Sequence, residues 1–451
     1  MRPPCLLIRR FKCPPVIRLQ RRTLLTLAIE TSCDDTSVAI LEKHPNNSAT
    51  LHFNEKITSD NRAYGGVHPI EAHVSHQKTL SSLVHRALQS LPEEDKTSTN
   101  IEGSLVVKAD HGFRIHRKPD FVTATRGPGM RASLITGIDT AKGLAVAWQV
   151  PFVGVNHMQG HALTPRLVSA LEKGDGASKE ADPEFPFLTL LVSGGHTMLV
   201  HSQSLCNHEI LATTADMAIG DSIDKCARDI LPASSLQGAT DVMYGRLLET
   251  FAFPDAEPNF NYATPRSFAS PRQEPGQIYD WKILPPYTSP GPEGARKWAD
   301  RFTYSGIATS VKRILEQSPE MDDIERRVLA KVTMMVAFEH LASRVLFALE
   351  RPDIKVNTVV VSGGVASNQF LKQILRTVLD TAGHKDIRLL FPPPHLCTDN
   401  AAMIAWTGIE MYEAGWRTSL EAMAVRKWAI DPKADDGGIL GVDGWEKDGP
   451  E

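Results

Sequence analysis

The sequence predicts an α/β protein of two related domains that enclose a cleft, and three observations lead to this fold class. At 451 residues the chain is long enough for two domains with separate cores. Short apolar runs rich in β-branched residues alternate with stretches of helical periodicity, as in α/β architectures. Two buried runs, 187–192 and 357–361, each end in Ser-Gly-Gly, and their wide separation indicates two related halves rather than one sheet.

Each element is predicted from its own periodicity. Apolar runs of strand length are found at 23–29, 37–41, 120–125, 151–155, 187–192 and 357–361. Helical spacing predicts helices over 73–88, 132–148, 331–350 and 401–412, and a further helix that begins near Asn156. The segment 216–229 also has helical spacing, which favours a solvated acidic face over a functional role for its acidic residues.

These elements divide the chain into a leader, two domains and a tail. The first α/β domain is expected over 23–155, with 89–119 as an insertion loop because that stretch is polar and without pattern. The second domain is expected over 156–428 and includes a Pro- and Ser-rich surface excursion at 251–299. A C-terminal helix could return to the first domain. The Gly- and Asp-rich segment 429–451 is predicted to be a flexible tail.

The leader differs in kind from the rest of the chain. Residues 1–26 contain seven Arg and Lys side chains and no Asp or Glu, and residues 1–22 are predicted to be a mitochondrial presequence that directs the protein to the matrix. Four prolines interrupt any long helix there, so a disordered basic tail is the alternative interpretation.

Composition excludes several other classes. The net charge of −4 gives no overall positive field for nucleic acid, although a local basic surface remains compatible with it. The six cysteines are scattered without a CxxC pair, which argues against a disulfide framework and against a cysteine zinc site. No apolar run reaches the length of a membrane span, so no membrane partner is expected.

The sequence His157-Met-Gln-Gly-His161 is a candidate metal site. Residues at i and i+4 share one face of a helix, so both imidazoles can reach one ion. Asp399, which precedes the predicted helix 401–412, is the candidate third ligand, and Thr398 or Asp399 is expected to cap that helix. Two imidazoles and one carboxylate leave open positions and suit zinc, iron or manganese, with zinc or iron preferred. Two surface histidines and a simple helix cap are the alternative interpretation.

A zinc peptidase would need a general base within this motif. The peptidase pattern HExxH has a Glu directly after the first His, and Met158 occupies that position here. The peptidase interpretation therefore lacks its proton acceptor.

The glycine turns predict a nucleotide cleft. Glycine lets the backbone approach a ligand closely, and successive N–H groups can bind anionic oxygens. Two such turns and the polar turn 30–36 together indicate this cleft, whereas a single Ser-Gly-Gly would be only a turn. None of them is a Walker loop, because no Gly-Lys-Ser/Thr follows.

Seven segments together resemble one family. They are TLAIETSCDDTSVAI, YGGVHPIEA, GPGMRASLITGIDTAKGLA, VNHMQGH, FPFLTLLVSGGHT, VVVSGGVASN and CTDNAAMIAW. In this order they resemble the tRNA N6-adenosine threonylcarbamoyltransferases, in particular the mitochondrial branch, over roughly 24–428. The resemblance implies an actin-like/sugar-kinase-like fold, formed by two duplicated ribonuclease-H-type domains with an interdomain cleft.

The resemblance also implies an activity and its partners. The enzyme would transfer a threonylcarbamoyl group from threonylcarbamoyl-AMP, made by a separate synthase, to N6 of the adenosine 3′ to the anticodon. Its tRNAs would read codons that begin with A, and the chain would be a stand-alone homodimer. His157, His161 and Asp399 would hold one divalent metal. The implied donor-binding residues are Leu191, Val192, Ser193, Gly194, Gly195, Asp224, Gly245, Glu249, Ser367 and Asn368.

The chain departs from the family pattern at three places. The segment 237–246 reads QGATDVMYGR where the family has Tyr-Pro-Gly-Gly-Pro, so the matching of Gly245 and Glu249 rests on the following LLE. Ala308 replaces a lysine that is frequent in the family. Asp35 stands where Glu is common, and this residue is the candidate general base.

Two other classes remain as alternatives. A kinase or ATPase of the same broad fold would bind ATP in the cleft and release phosphate without tRNA. A non-catalytic scaffold would keep the nucleotide cleft, but it would not need an open metal site with three ligands.

Overall fold

The computed structural model describes residues 23–64, 66–94, 103–109, 112–173, 180–237, 244–255, 260–273, 276–288 and 294–448. The predicted presequence, 1–22, lies outside the described residues. So do most of the divergent segment 237–246 and parts of the predicted excursion 251–299.

The first sheet has five strands in the order β3-β2-β1-β6-β7. Its central strand β1 pairs antiparallel with β2 and parallel with β6. A separate hairpin, β4 and β5, lies between β3 and β6 in the chain. The bounds are β1 Leu24–Glu30, β2 Asp35–Lys43, β3 Ala49–Thr58, β4 Ser104–Ala109, β5 Gly112–Arg117, β6 Phe121–Gly127 and β7 Phe152–Asn156.

The second sheet has six strands in the order β11-β10-β9-β8-β12-β13. Its centre pairs β8 antiparallel with β9 and parallel with β12. Two short strands near the C-terminus, β14 and β15, form a small ribbon. The bounds are β8 Phe187–Val192, β9 Thr197–Ser204, β10 Asn207–Thr214, β11 Arg301–Phe302, β12 Thr358–Ser362, β13 Arg388–Leu390, β14 Trp416–Thr418 and β15 Trp445–Lys447.

Helices cover both sheets, which together with the strand order makes the architecture α/β. The α-helices are α1 Pro69–Gln89, α2 Arg131–Trp148, α3 His157–Glu172, α4 Ile219–Ile230, α5 Ala233–Gln237, α6 Gly245–Ala252, α7 Ser305–Gln317, α8 Asp323–Leu349, α9 Gln369–Thr381, α10 Pro394–Cys397 and α11 Ala401–Glu413. Short 3-10 helices cover Arg62–Tyr64, Gly294–Trp298 and Gly364–Ser367.

Helices α3 and α11 join the two sheets. One buried apolar cluster contains Ala28 and Phe121 of the first sheet and Leu191 of the second, together with Met403 and Trp406 of α11. Helix α11 packs on β1 and β2, although it follows them by more than 350 residues, so the chain returns to its first sheet near the end. This layer between the sheets also carries the predicted metal ligands.

The two Ser-Gly-Gly turns are neighbours in one sheet, so the prediction that they mark separate halves is wrong. Strands β8 and β12 pair in parallel, with Leu191 opposite Ser362. The turns therefore leave the same edge of the sheet side by side, because the carboxyl ends of parallel strands lie together. Strand neighbours depend on how the intervening 165 residues connect, which the repeated tripeptide does not encode.

Gly363 is where these two turns touch. Its φ is +103°, and a Cβ built there would lie 2.3 Å from the carbonyl oxygen of Val192. Both the strained backbone and the clash oppose any side chain. We expect Gly363→Ala to lower the free energy of unfolding by about 3 kcal/mol or more, measured by denaturant titration. Gly364→Ala is the matched control, because its Cβ would meet only the Thr398 methyl at 3.9 Å. Equal stability of the two variants would contradict this prediction.

Two segments are more ordered than their composition predicts. The predicted insertion loop 89–119 contains the β4–β5 hairpin, whose Val107 and His116 are buried. The segment 429–451 was predicted to be a flexible tail, but its described part includes β15 and the fully buried Ile439. Trp428 donates from its indole nitrogen to the carbonyl oxygen of Gly438 at 3.0 Å, which fixes the tail against the core. The glycines of this C-terminal segment form tight turns, so their number does not indicate disorder.

One described helix, α8, has the length and hydropathy of a membrane span, which the sequence prediction missed. However, 89% of its apolar window is buried inside the molecule. This is the pattern of a core helix, and α8 indeed packs against α4, α6 and α9.

Candidate metal centre and substrate cleft

The start of helix α3 places both histidines. Strand β7 ends at Asn156, and the Asn156 side-chain oxygen accepts hydrogen bonds from the backbone N–H groups of Met158 at 2.9 Å and Gln159 at 3.2 Å. This cap fixes the first turn of the helix. His157 is consequently its first residue, and His161 lies one turn later on the same face, as the spacing predicts.

The start of helix α11 places Asp399. The cap of this helix is Asn400, whose side-chain oxygen accepts from the Met403 N–H at 3.1 Å, so the prediction of a Thr398 or Asp399 cap is wrong. Asp399 is therefore free to turn toward α3. Its Oδ1 lies 3.4 Å from His157 Nε2 and 3.1 Å from His161 Nε2.

The three side chains fit a single metal ion. Their ligand atoms all lie within 4.8 Å of one another. Two ligands bound tetrahedrally at 2.0–2.1 Å are separated by about 3.3 Å, close to the two distances from Asp399 Oδ1. Both histidines are about 5% exposed, whereas the Asp399 side chain is 24% exposed. The site is thus closed on the protein side and open toward the cleft.

A second buried carboxylate, that of Glu30, contacts His157 on the ring nitrogen that does not face Asp399. Glu30 is fully buried at the end of β1, and its Oε2 lies 3.2 Å from His157 Nδ1. It also accepts from the Ser32 N–H at 2.5 Å and from the Thr125 hydroxyl. A carboxylate on the far nitrogen of a ligating histidine orients the ring and increases its basicity. The sequence predicts Glu30 only as part of the polar turn 30–36 and does not predict this role.

The opposite charges of the histidines and carboxylates in this cluster stabilise one another. Burial alone would raise the pKa of Asp399, but His157 and His161 together hold it well below its usual value. Burial alone would lower the pKa of His157, but Asp399 and Glu30 raise it well above the usual value. A cation is therefore stabilised between the two carboxylates, whether it is a proton on His157 or a metal ion bound in its place.

Asp35, the candidate base, lies in the same cleft but is already paired. Lys56 Nζ donates to Asp35 Oδ2 at 2.7 Å, and the Thr58 hydroxyl donates to Oδ1. Burial raises the pKa of Asp35, and Lys56 opposes that shift. Lys56 also donates to the Thr398 hydroxyl at 3.1 Å, next to Asp399. This lysine was not singled out from the sequence, because nothing in the β3 sequence indicates that its side chain reaches the cleft.

The turn after β8 presents two exposed glycines at the cleft. Ser193 Oγ accepts hydrogen bonds from the N–H groups of Gly195 at 3.3 Å and His196 at 3.0 Å. Gly194 and Gly195 are exposed, and a Cβ on either would meet no atom within 4 Å. Leu191 and Val192, in contrast, are buried in the strand and contribute only backbone to any site. Burial lowers the pKa of His196 to about 4, with a further contribution from His157 and His161, so this third histidine borders the metal site uncharged.

The remaining predicted donor-binding residues form a connected wall of the second domain. Asp224 Oδ1 accepts from the Gly245 N–H at 2.8 Å. Glu249 Oε1 accepts from the N–H groups of Gln369 at 2.7 Å and Phe370 at 3.0 Å, at the start of α9. Asn368 caps the same helix through the Leu371 N–H at 2.9 Å, and Ser367 Oγ donates to the Gly364 carbonyl at 2.8 Å. Glu249 and Asn368 thus each use a side-chain oxygen to accept hydrogen bonds from the first turn of α9.

Asp224 gives a pH-dependent prediction. Burial raises its pKa to about 6, above its ordinary value of 3.8. A raised folded-state pKa contributes stability that is present below the unfolded value and is lost as the pH rises through about 6. We therefore expect Asp224→Asn to match wild type in stability near pH 3.8 and to exceed it above pH 6, in denaturant titrations across this range. A stability difference that does not change with pH would contradict the prediction.

The sequence offers four basic residues that could either contact tRNA or be only solvated charges, namely Arg126, Arg131, Lys312 and Arg313. Arg126 is structural. It is 3% exposed, and its guanidinium donates to the carbonyl oxygens of Met423 at 2.8 Å and Asp443 at 2.6 Å. It also lies over the Trp428 ring at 5.6 Å. The other candidates, Arg131, Lys312 and Arg313, are exposed on α2 and α7.

The fold and the site together define a class. Two sheets share an interlayer of helices with a His-His-Asp cluster that could hold a metal ion, bordered by an exposed glycine turn; this arrangement fits an α/β enzyme with a metal site beside an anion-binding turn. Residues 109–406 match the family model described as TsaD, tRNA N6-adenosine threonylcarbamoyltransferase. The chain belongs to this family, and the expected two-domain, actin-like fold class is thereby confirmed.

Individual relatives agree with this assignment. The mitochondrial tRNA N6-adenosine threonylcarbamoyltransferase of Schizosaccharomyces pombe is 35% identical, over 97% of this chain and 93% of that protein. The tRNA N6-adenosine threonylcarbamoyltransferase of Brucella anthropi is 33% identical, over 90% of this chain and 96% of its own length. Among solved structures, HypF from T. kodakarensis aligns with a TM-score of 0.41 and 13% identity, covering 87% of this chain and 48% of that chain.

Proposed function

We propose that this chain transfers the threonylcarbamoyl group of threonylcarbamoyl-AMP to N6 of the adenosine 3′ to the anticodon, in mitochondrial tRNAs that read codons beginning with A. The observation that supports this proposal best is the His157, His161 and Asp399 cluster beside the turn with the exposed residues Gly194 and Gly195. Such a site can bind both ends of a mixed anhydride. A separate enzyme of the synthase class must supply this donor, because the carbamoyl–phosphate bond requires ATP-driven synthesis.

In the proposed reaction the N6 amine attacks the carbamoyl carbon of the donor. A new C–N bond forms, the C–O bond to the phosphate breaks, AMP leaves, and one proton is lost from N6. The exposed Gly194–Gly195 turn would bind the anionic oxygens of the donor through its backbone N–H groups, and the Gly195 N–H would exchange Ser193 Oγ for the ligand. Asp224, Gly245, Glu249, Ser367 and Asn368 would form the wall against which the adenylate lies.

The cleft offers one carboxylate for the released proton. We assign this role to Asp35, because burial raises its pKa toward the pH at which a general base is effective. Lys56 favours the charged form of this carboxylate, because its Nζ lies 2.7 Å from Asp35 Oδ2.

One divalent cation, zinc or iron, would be held by His157, His161 and Asp399. When bound, it would supply positive charge beside the negative charge that develops on the donor oxygens. Glu30 would hold His157 in the tautomer that presents Nε2 to the cleft.

The test is threonine transfer to an unmodified tRNA transcript. The assay would use the purified chain without residues 1–22, pre-made threonylcarbamoyl-AMP with labelled threonine, and the double variant His157→Ala/His161→Ala. Label in the tRNA with wild type alone is the expected result. Metal-loaded, folded wild-type protein that gives no label would overturn the proposal, and ATP hydrolysis without tRNA would then identify the kinase or ATPase alternative.

The cellular setting belongs to the same proposal. The S. pombe relative is named as the mitochondrial enzyme, and the acid-free leader 1–22 agrees with import to the matrix. We also propose a stand-alone homodimer. Fractionation of cells that express the tagged chain and sedimentation of the purified protein would test these two statements separately.

A further inference from the structure

The turn between β1 and β2, residues 31–34, lies beside the metal ligands and leads directly into the candidate base. Ser32 Oγ is 3.2 Å from His157 Nδ1. At the start of α2, the Met130 N–H donates to the carbonyl oxygen of Ser32 at 2.8 Å and thereby fixes the first half of the turn. The second half runs into Asp35, so the groups that hold this half also hold Asp35.

A buried side chain of α1, that of His76, holds the second half of the turn. Its Nε2 lies 2.9 Å from the carbonyl oxygen of Cys33, and its Nδ1 lies 2.8 Å from Thr36 Oγ1. These two contacts lie on either side of Asp34 and Asp35 in the chain. A backbone N–H of the loop after β3 also donates to the Asp34 carbonyl oxygen at 3.0 Å. Loss of the imidazole would therefore release the two flanking residues but not the whole turn.

The two contacts define the tautomer of the His76 ring. The other buried residues of α1 are Ala72, Leu80, Leu83, Val84 and Ala87. An imidazole in this apolar stripe costs free energy unless its nitrogens are hydrogen-bonded. The Cys33 carbonyl can only accept, so the hydrogen is on Nε2, and the bare Nδ1 of a neutral ring accepts from the Thr36 hydroxyl. Burial lowers the pKa of His76, which favours this neutral ring.

His76 lies on the side of β2 that faces away from the cleft. Successive side chains of a strand point to opposite faces of the sheet. Val38, in phase with Thr36, packs in the apolar cluster that contains the inner face of α1. Ala39, in phase with Asp35, packs in the cluster that contains α11. His76 therefore acts on Asp35 through the backbone of β2 and touches neither the donor nor the metal ligands.

We propose that His76 is a positioning residue of the transfer reaction, which holds Asp35 in its productive orientation from the opposite face of β2. His76 has this role only if Asp35 is the base of the proposed function, on which the proposal therefore rests. A general base must lie within hydrogen-bond reach of the proton that it removes. A displacement of about 1 Å at a reacting group can lower a rate by about two decades, even when the altered residue is far from the chemistry.

The test replaces His76 with leucine, which has a similar volume but neither nitrogen. We expect His76→Leu to lower kcat for threonine transfer to tRNA by about 10–100-fold, with KM for threonylcarbamoyl-AMP and metal affinity changed by less than about threefold. His76→Gln should recover part of this loss, because its amide nitrogen can replace Nε2 as the donor to Cys33. Val84→Ala, two turns later on the same stripe, is the matched control: it removes packing and should leave kcat unchanged.

A double-mutant cycle separates positioning from a general loss of stability. Asp35→Asn removes the base itself, so in that background His76→Leu should lower kcat further by less than about threefold. If the two losses multiply instead, His76 acts on the rate by another route and the proposal is wrong. Equal kcat in His76→Leu and wild type, or a loss carried entirely by KM or by metal affinity, would also overturn it.

Nuclear magnetic resonance of the whole chain labelled with 15N-histidine tests the geometry without turnover. The His76 signals are those that His76→Gln removes, and long-range 15N–1H spectra distinguish bare from protonated ring nitrogens. We expect a bare Nδ1 and a protonated Nε2 at neutral pH, and the opposite tautomer would contradict the contact with Cys33 and overturn the proposal. Wild type that transfers no threonine would remove the proposed function itself, whereas active wild type with an equally active His76→Leu variant would remove only the role of His76.

Discussion

Replacing His161 with alanine should lower the rate of threonine transfer to tRNA by about two to three decades while leaving the protein folded. The expected size is that of losing a catalytic electrostatic contact. His161 Nε2 is 3.1 Å from Asp399 Oδ1, and without the imidazole only His157 and Asp399 remain to hold a metal. Metal content after dialysis should fall in parallel with the rate, measured by elemental analysis of the same preparations.

The control for this variant is His85→Ala. His85 is exposed on α1, remote from the cluster, and should change neither rate nor metal content. Circular dichroism and the unfolding midpoint of both variants would show that the fold survives. Wild-type turnover in a metal-free, folded His161→Ala protein would rule out the metal role that we assign to this cluster.

Replacing Glu30 with glutamine should weaken metal binding by about 10–100-fold, the usual effect of removing the partner of a ligating histidine. The carboxylate raises the pKa of His157 and orients its ring through Nδ1 at 3.2 Å. A neutral amide of the same shape keeps the packing but loses the charge. Chelator competition measures this affinity directly, and metal at saturating concentration should restore much of the transfer rate.

The matched control is Glu55→Gln. Glu55 pairs with Arg86 at 2.6 Å on the surface, where both side chains are nearly half exposed, so the change should leave metal affinity within about twofold. If Glu30→Gln binds metal as tightly as wild type, Glu30 serves only the fold of the polar turn.

The local features of the site could be predicted from sequence, because they depend on neighbours in the chain. The i, i+4 spacing of His157 and His161 and the Asn156 cap are both encoded within six residues. Asp399, which is distant in sequence, is a candidate because it directly precedes the predicted helix 401–412, and the resemblance to the family implies the same residue. The features of the site that the sequence does not predict are contacts between segments that are far apart along the chain. Glu30 meets His157 across 127 residues, and nothing in the turn 30–36 distinguishes a buried carboxylate from a solvated one.

The same distinction explains the errors in the fold. Each Ser-Gly-Gly strand was located correctly, but which strands become neighbours depends on the path between them, so the pairing of β8 with β12 was missed. The glycines and aspartates of the C-terminal segment 429–451 predict a flexible tail. Its order comes instead from a few long-range contacts, such as Arg126 on the carbonyl of Asp443, which composition does not reveal.

The position of α11 has a consequence for how the molecule assembles in time. This helix covers β1 and β2, and it also brings Asp399 to the histidines, yet it follows β2 by more than 350 residues. A chain that emerges from the ribosome with its N-terminus first must keep one face of its first sheet uncovered until residues 399–413 have also emerged. Premature termination anywhere before residue 399 would therefore leave a sheet that exposes apolar surface and cannot assemble the metal site, which is the kind of product that chaperones and proteases recognise.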